Sequence, residues 1–115
     1  MINSELIDTI KILRKASKEK SQPIWAALAD ELDKAKRRRN SVNLSRINRH
    51  TKAEAIVAVP GKVLSSGSLD HPVTVAAYSF SEGALEKIAG VNGKAMSLKE
   101  LLDGQIDTSK IKIIK

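Results

Sequence analysis

The sequence predicts an α/β fold, in which a small, mainly parallel sheet with short flanking helices follows two N-terminal helices and a basic arm. Three observations predict it: apolar residues at helical spacing near the N-terminus, short β-branched apolar runs after residue 52, and helix start and stop signals between those runs. With 115 residues the chain is long enough to bury a core of its own. We therefore divide a single domain into a helical pair (1–33), a basic arm (34–52) and an α/β core (53–115).

Two amphipathic helices account for the first 33 residues. Leu6, Ile10 and Leu13 recur at helical spacing and give the first helix one apolar face. Pro23 suits the first turn of the second helix, where a backbone N–H would have no helical acceptor in any case. The apolar stripe of that second helix consists of Ile24, Leu28, Leu32 and Ala35. We expect both helices to lie against the α/β core.

The basic arm, residues 34–52, carries eight Lys or Arg side chains and no carboxylate. Arg46 and Arg49 are three positions apart, so a helical turn would place them on one face. The alternation of Val42 and Leu44 equally allows an extended entry into that turn. Three apolar residues can anchor the arm to the core: Val42, Leu44 and Ile47. Because like charges repel one another, we expect the arm to be loose in the free protein.

Two apolar runs, AIVAVPG and VTVAAYSF, are typical of buried strands, because they are short, rich in β-branched residues and bounded by Pro, Gly and Ser. The connection KVLSSGSLDHP contains turn signals and allows a short strand at 62–64. Further short strands are predicted at 93–96 and in the final IKIIK. The order strand, helix, strand, helix, strand indicates a mainly parallel sheet.

Capping residues predict the helices between these strands. The helix SEGALEKIAG has two possible starts, either Ser79 with Glu82 as a capping box or Ser81 with an apolar staple around it. A glycine closes that helix. The next helix, LKELL, has one start, because Ser97 and Glu100 stand at capping-box spacing.

The positive charge of the chain is confined to its first half. The net charge is +7. Residues 1–52 hold 13 Lys and Arg against 6 Asp and Glu, a balance of +7, whereas residues 53–115 hold 7 against 7, a balance of zero. A solvated surface normally interleaves charges of both signs, and the basic arm does not. This concentration of charge predicts a polyanionic partner that binds near the arm.

Composition excludes several classes of protein. There is no cysteine, so disulfides, thiolate metal sites and cysteine nucleophiles are absent, and a reducing cytosol fits that composition. The N-terminus MINSELIDTI has no continuous apolar stretch that would mark a signal peptide. Nowhere do eighteen apolar residues run together. We expect a soluble, intracellular protein without membrane contact.

Catalytic signals are weak. His50 and His71 are the only histidines, and neither has another ligand at metal-binding spacing. We do not interpret Asp70 and His71 as a catalytic pair, because adjacent side chains rarely face each other. The stretch PGKVLSSG lacks the order of a phosphate loop, although Lys62 could still touch a phosphate. We predict no enzyme, metal or cofactor, and keep as an alternative a small enzyme that binds a phosphorylated ligand through this stretch.

Several features favour folded RNA as the polyanion. The second helix carries three carboxylates in ADELDKA, which would repel a duplex if that helix read base edges. Arg37, Arg38 and Arg39 can each bridge phosphate oxygens with two hydrogen bonds. Three aromatic residues are too few for a base-stacking platform, and Trp25 adjoins an apolar stripe that predicts a core position. We predict recognition of the shape and backbone of structured RNA; a DNA-binding protein is the alternative.

The motifs of the arm and the core resemble a known family. The run KRRRNSVNLSRINRH, the string VAVPGKVLSSGSLDHPVTVAAYSFSEGALEKI and the segment GKAMSLKELL are similar to archaeal and eukaryotic large-subunit ribosomal protein eighteen, the eighteen-e family. That family shares its C-terminal fold with large-subunit ribosomal protein fifteen. The resemblance covers almost the whole chain, and the lack of long basic extensions is more typical of an archaeal member.

The resemblance implies a structural ribosomal protein, without catalysis or cofactor, that binds and stabilises folded large-subunit ribosomal RNA. It further implies a cytoplasmic, ribosome-bound protein that is monomeric within the ribosome and has neighbours such as large-subunit proteins four and fifteen. A non-ribosomal DNA- or RNA-binding architectural protein is the alternative. The string PGKVLSSGSLDHP equally fits a fold signature whose glycines serve tight turns. The predicted RNA contacts are Lys34, Lys36, Arg37, Arg38, Arg39, Asn40, Asn43, Ser45, Arg46, Arg49, His50 and Lys52, with Lys62 and His71 of second rank.

Overall fold

A computed structural model describes residues 4–34, 40–104 and 106–115. The predicted α/β fold, with a parallel sheet preceded by two helices, is confirmed. Within the described residues, no helix is long and apolar enough to cross a membrane. The elements in chain order are α1 (Ser4–Lys20), α2 (Pro23–Leu32), β1 (Asn40–Asn43), α3 (Leu44–His50), β2 (Ala55–Leu64), β3 (Val73–Phe80), α4 (Glu82–Gly90), β4 (Lys94–Ser97), α5 (Leu98–Asp103), a 3-10 turn (Thr108–Lys110) and β5 (Ile111–Ile113).

The sheet has the strand order β1-β2-β3-β4, and every pairing is parallel. The last strand, β5, also pairs with β2. Strand β1 is aligned with residues 61–64 of β2, and β5 with residues 56–58. Because β3 occupies the other edge of β2 along its length, β1 and β5 lie end to end along one edge.

Strand β2 is longer than the sequence suggested. The short strand predicted at 62–64 is the C-terminal part of β2, not a separate element. The register with β3 shifts between Val59 and Lys62, at Pro60 and Gly61. Proline has no N–H to donate to the ladder, so a local irregularity is expected there. The strand nevertheless continues and provides the pairing edge for β1.

Helices cover both faces of the sheet. Ala58 and Ala76 pack into a core formed with α1, α2 and α5. Val57, Val59 and Val75 point to the opposite face, into a core formed with α3 and α4. The connections that lead from β1 towards β4 cross on the α3 and α4 face, and the return to β5 crosses on the α5 face. All crossovers therefore have the same hand, as parallel sheets require.

The helical pair contributes the largest buried side chain of the described residues, Trp25, which is 2% exposed. Its indole N–H donates to Oε1 of Gln22 at 2.6 Å, so the polar end of the ring is satisfied. Leu28 and Leu32 of the same helix are fully buried beside it. The predicted core position of Trp25 is confirmed.

The structure shows which of the two predicted starts of α4, at Ser79 or at Ser81, is used. Helix α4 begins after Ser81, whose hydroxyl accepts from the N–H of Ala84 at 3.2 Å, so the second of the two starts is the one used. Helix α5 has the predicted capping box. The hydroxyl of Ser97 accepts from the N–H of Glu100 at 3.1 Å, and the Glu100 carboxylate accepts from the N–H of Ser97 at 3.2 Å.

Candidate nucleic-acid interface

Strand β1 and helix α3 form most of the described part of the predicted basic arm. Val42 is 1% exposed, and Leu44 and Ile47 are fully buried between α3 and the sheet. Their burial leaves Arg46 and Arg49 exposed on the outside of α3. The extended entry and the helical turn both exist, one after the other. The predicted anchoring of the arm is confirmed.

The looseness expected of the arm in the free protein stays a prediction, but pairing and burial anchor residues 40–50 to the fold. These residues pair with β2 over four positions and bury three apolar side chains, which fixes the backbone despite the charge. Repulsion between the cations can be inferred from the sequence, whereas the strand pairing cannot. Asn40 opens β1, and the predicted contacts Lys36, Arg37, Arg38 and Arg39 lie outside the described residues.

The loop between β2 and β3, residues 65–72, runs beside α3 and is hydrogen bonded to it. The N–H of Ser45 donates to the carbonyl of Ser66 at 3.2 Å. Further along, the N–H of Asp70 donates to Oδ1 of Asn48 at 3.2 Å. These bonds secure the helix at its first turn and in its middle, so the orientation of its outer face depends on this loop.

A third contact secures the residue that follows α3. The Thr51 hydroxyl donates to the carbonyl of Ile47 at 2.6 Å, and its oxygen lies 2.8 Å from Nε2 of His71. The other ring nitrogen, Nδ1, lies 3.1 Å from Oδ1 of Asp70. Contrary to the expectation for adjacent side chains, Asp70 and His71 do face each other. In this exposed loop the Asp70 side chain turns back onto the next residue.

The imidazole of His71 acts on the neighbouring carboxyl group. The hydrogen bond with His71, followed by the one with Asn48, lowers the pKa of Asp70 below its ordinary value of 3.8. The side chain of His71 is only 17% exposed, and both of its ring nitrogens have a protein partner. This environment favours a structural role, and RNA contact by His71 stays a prediction.

The tip of the 65–72 loop is packed tightly against α3 and tied to α4. Gly67 has φ +87°, and a Cβ atom on it would lie 2.3 Å from Cβ of Ser45. From α4, Nζ of Lys87 donates to the carbonyls of Ser65 at 2.7 Å and Gly67 at 2.8 Å. The string PGKVLSSGSLDHP thus contains the loop that positions α3, which favours the fold-signature interpretation over a phosphate loop.

The carboxylates of α2 are neutralised within the helical pair. Arg14 of α1 lies 3.4 Å from Asp30 and 3.0 Å from Asp33. The third carboxylate, Glu31, accepts from Nζ of Lys115 at 2.5 Å and from Nζ of Lys34 at 2.6 Å. Lys34, a predicted RNA contact, therefore already has a carboxylate partner.

The hydrogen bond from Lys115 to Glu31 joins the C-terminus, just beyond β5, to the end of α2. The bond from Lys115, and then the bond from Lys34, lowers the pKa of Glu31 below its ordinary value of 4.5. Its side chain is only 13% exposed, so the pair is partly shielded from solvent. This link holds α2 beside the edge of β2, next to the point where β1 begins.

The cations of α3 are not neutralised in this way. Four exposed cations make no ion pair with any carboxylate of the described residues: Arg46, Arg49, Lys52 and Lys62. Lys62 belongs to a different surface. Its neighbour Val63 points into the core under α3, so Lys62 points to the opposite face of the sheet. The structure brings Arg46, Arg49 and Lys52 to one end of the fold and leaves Lys62 apart from them.

One residue missed by the sequence argument joins this surface. Lys112 of β5 donates from Nζ to the carbonyl of His50 at 2.8 Å, so its charge lies at the C-terminal end of α3. The alternation in IKIIK predicts that Lys112 is exposed. It gives no sign that β5 pairs with β2 and so lies close to α3, because that pairing joins residues more than fifty positions apart.

The remaining predicted contacts have these positions. Asn43 and His50 are exposed at the two ends of α3, and Ser45 is half-buried against the 65–72 loop. Within the described residues, no group of three or more His, Asp and Glu side chains could hold a metal ion. The described interface is therefore a cationic surface, formed by a short helix with a buried inner face and a charged outer face.

These features define a small α/β protein whose uncompensated cations follow its helical pair. Residues 24–96 match the family of ribosomal proteins 50S-L15, 50S-L18e and 60S-L27A. That match covers more than half of the chain, and the chain belongs to this family. The resemblance inferred from the motifs is confirmed.

Archaeal relatives agree with the family match. The chain is 45% identical over 105 residues to large ribosomal subunit protein eL18 of Sulfurisphaera tokodaii, covering 91% of this chain and 88% of that protein. It is 42% identical over 113 residues to the same protein of Methanothermobacter thermautotrophicus, covering 98% and 93%. With the Sulfolobus acidocaldarius protein it shares 52% identity over 81 residues, 70% of this chain and 69% of that one.

Proposed function

We propose that this chain is a structural component of the large ribosomal subunit that binds and stabilises folded ribosomal RNA and has no catalytic activity. The observation that carries the proposal is the pair Arg46 and Arg49, which are exposed on a helix whose inner face is buried and have no carboxylate partner among the described residues. Family membership supports the ribosomal setting, because the relatives are named as proteins of the large subunit.

The geometry supports binding by a pre-organised surface. The backbone that carries the arginines need not be ordered on binding, since burial of Leu44 and Ile47 and the bonds to the 65–72 loop already anchor the helix. Each guanidinium can make two parallel hydrogen bonds to one phosphate. Asn43 and His50, at the ends of α3, can reach sugar hydroxyls beside those phosphates. The four cations at Lys36–Arg39 precede β1 directly and would extend the contact along the RNA backbone.

The structure favours folded RNA over a DNA duplex. Helix α3 has seven residues, about 10 Å, which is short for a helix that reads bases along a major groove. Asp30 and Glu31 lie near the end of α2 and Asp33 follows it directly, so α2 does not present a groove-reading face. Recognition of an RNA shape through its phosphates requires neither a long helix in the major groove nor a face that reads base edges.

The test is a binding titration of the full chain with fragments of large-subunit ribosomal RNA and with duplex DNA, across a series of salt concentrations. Arg46→Ala/Arg49→Ala should weaken binding to the preferred RNA about tenfold or more and flatten the salt dependence. The matched control, Lys94→Ala/Lys110→Ala, removes the same charge from exposed positions elsewhere and should bind like the unmodified chain.

Two results would contradict the proposal. Equal loss in both double variants would show a response to net charge alone, without a surface at α3. Equal affinity for DNA and every RNA fragment would favour the alternative, a non-ribosomal architectural protein that binds DNA or RNA.

On our proposal the protein is cytoplasmic and bound as one copy in the ribosome. Other large-subunit proteins are its neighbours, and the family implies proteins four and fifteen.

A further inference from the structure

A groove lies at the carboxyl ends of β3 and β4, at the opposite edge of the sheet from β1. Its main cavity has a volume of about 220 Å³ and is lined on one side by Leu85 and Phe80 and on the other by Met96 and Glu100. Tyr78 separates it from a second cavity of about 140 Å³ that reaches Glu5 and Thr9 on α1. Pockets for small molecules usually exceed about 300 Å³, so the groove suits single side chains of a larger partner.

The apolar wall of the groove is open to solvent. Leu85 is 43% exposed, among the most exposed large apolar side chains of the described residues. Met96, Tyr78 and Phe80 are only half-buried around it. These four side chains give the groove an apolar lining that one side chain of a partner could cover.

An unpaired strand edge borders the groove. Strand β4 pairs with β3, and no other described strand lies on its outer side. The N–H of Ser97 points away from β3, because it donates to the Glu100 carboxylate. Ala95 lies two positions earlier, so its N–H and C=O point outward on the same side, and its side chain is exposed. These backbone groups can hydrogen bond to an added extended chain.

The acidic side chains of the groove favour a basic partner over RNA, although one lysine, Lys94, is also exposed at the start of β4. Among the residues that line its two cavities, Glu5 and Glu100 are acidic and Lys99 is basic. Glu86 is exposed next to Leu85 on α4. The carboxylates would repel phosphates, whereas they would attract Lys and Arg side chains at the rim.

We propose that this groove binds an extended, basic segment of a neighbouring polypeptide. The segment would hydrogen bond to Ala95 at the outer edge of β4 and insert one side chain of leucine size between Leu85 and Met96. Its flanking Lys or Arg residues would lie against Glu100 and Glu5. This proposal is independent of RNA binding, because the groove and the α3 surface are at opposite edges of the sheet.

The experiment titrates the ¹⁵N-labelled full chain with the peptide GKRVLVRKG and follows the backbone amide signals by NMR. We expect shifts at Leu85, Ala95 and Glu100, and saturable binding. The control peptide GKRVSVRKG has the same charge and lacks the central leucine. It should bind at least about fivefold more weakly, because little apolar area is buried.

Variants test the two halves of the site. Leu85→Ser should weaken the leucine peptide about fivefold, and Ile12→Ser, a matched loss of an apolar side chain that is 39% exposed on α1, should not. Glu100→Gln should weaken binding and increase its tolerance of salt, and glutamine keeps the capping box intact.

Any of three results would overturn the proposal. The two peptides bind equally, the two serine variants bind the leucine peptide with equal affinity, or the backbone amide shifts are confined to residues away from β4. None of them bears on the RNA surface. Arg46→Ala/Arg49→Ala should leave peptide binding unchanged, and Leu85→Ser should leave RNA binding unchanged, so failure of one proposal is distinguishable from failure of the other.

Discussion

Gly67 packs directly against Ser45, so closely that a methyl group on Gly67 would lie 2.3 Å from the Ser45 Cβ atom and 3.0 Å from its Cα. The backbone of Gly67 also has a positive φ, which disfavours any other residue. This contact sets the distance between the 65–72 loop and α3, and therefore the position of the charged face of α3.

We predict that Gly67→Ala lowers the free energy of unfolding by about 2–4 kcal/mol, through strain at the positive φ and overlap with Ser45. Chemical denaturation of the variant measures this. The control is Gly90→Ala, where the added methyl group has no atom within 4 Å and which should be neutral or slightly stabilising. A Gly67→Ala protein as stable as the control would show that the loop can move away from α3 without cost.

Lys87 should stabilise the loop through its two bonds to the carbonyls of Ser65 and Gly67. We predict that Lys87→Met lowers the free energy of unfolding by about 1 kcal/mol and increases hydrogen exchange in the loop. Lys94→Met, at an exposed position outside these contacts, is the control for the lost charge. Unchanged exchange in the loop of the Lys87 variant would contradict the prediction.

Two variants distinguish a structural His71 from one that contacts RNA. Thr51→Val removes the hydroxyl that joins His71 to the carbonyl of Ile47, and should cost about 1 kcal/mol of stability. If His71 acts only through this contact, His71→Ala should weaken RNA binding no more than Thr51→Val does. A much larger loss of affinity for His71→Ala would instead establish direct contact, as the resemblance implies.

The Glu31 carboxylate should make stability depend on acid pH. Lys115 and Lys34 lower the pKa of Glu31 in the folded protein, so its ionised form stabilises the fold above the ordinary carboxyl pKa of 4.5. That contribution is lost as the pH falls below 4.5 and through the lowered folded value. Glu31→Gln should therefore be less stable than the unmodified chain at pH 7, with the difference shrinking towards pH 2.

Urea denaturation at both pH values measures this difference. Glu86→Gln, which removes an exposed carboxylate that has no ion pair among the described residues, should show little difference at either pH. A Glu31→Gln protein whose deficit stays constant from pH 7 to pH 2 would show that the two lysine contacts do not depend on the carboxylate charge.

RNA binding should depend steeply on salt. If about six of the eight cations in residues 34–52 each neutralise one phosphate, affinity should fall on the order of a thousandfold between low and physiological salt. Removing three cations in Arg37→Ala/Arg38→Ala/Arg39→Ala should reduce the slope of log affinity against log salt by about two. The same slope in the variant would mean that these arginines do not contact phosphates.

The sequence predicted those parts of the fold that depend on neighbouring residues. The capping box of Ser97 and Glu100 and the buried stripe beside Trp25 both follow from spacing within one helix. The inner and outer faces of α3 follow in the same way, because Leu44 and Ile47 must be buried and Arg46 and Arg49 cannot be.

The rest depends on contacts between distant residues. Ser45 meets Ser66 and Gly67 twenty-one and twenty-two positions later, and Lys112 meets His50 across the sheet. No local pattern encodes those distances. The pairing of β1 with β2, which anchors the start of the described part of the arm, likewise joins residues about twenty positions apart.

The end-to-end arrangement of β1 and β5 has a consequence for how the chain folds during synthesis. Strand β1 can pair with β2 as soon as residues 40–64 have emerged, but the other half of the same edge waits for residues 111–113. Until then the backbone N–H and C=O groups of residues 56–58 on that edge are unpaired and can form hydrogen bonds with non-native strands, including those of other nascent chains. Pairing of the latest-made strand, followed by the contact of Lys115 with Glu31, ends that period of exposure.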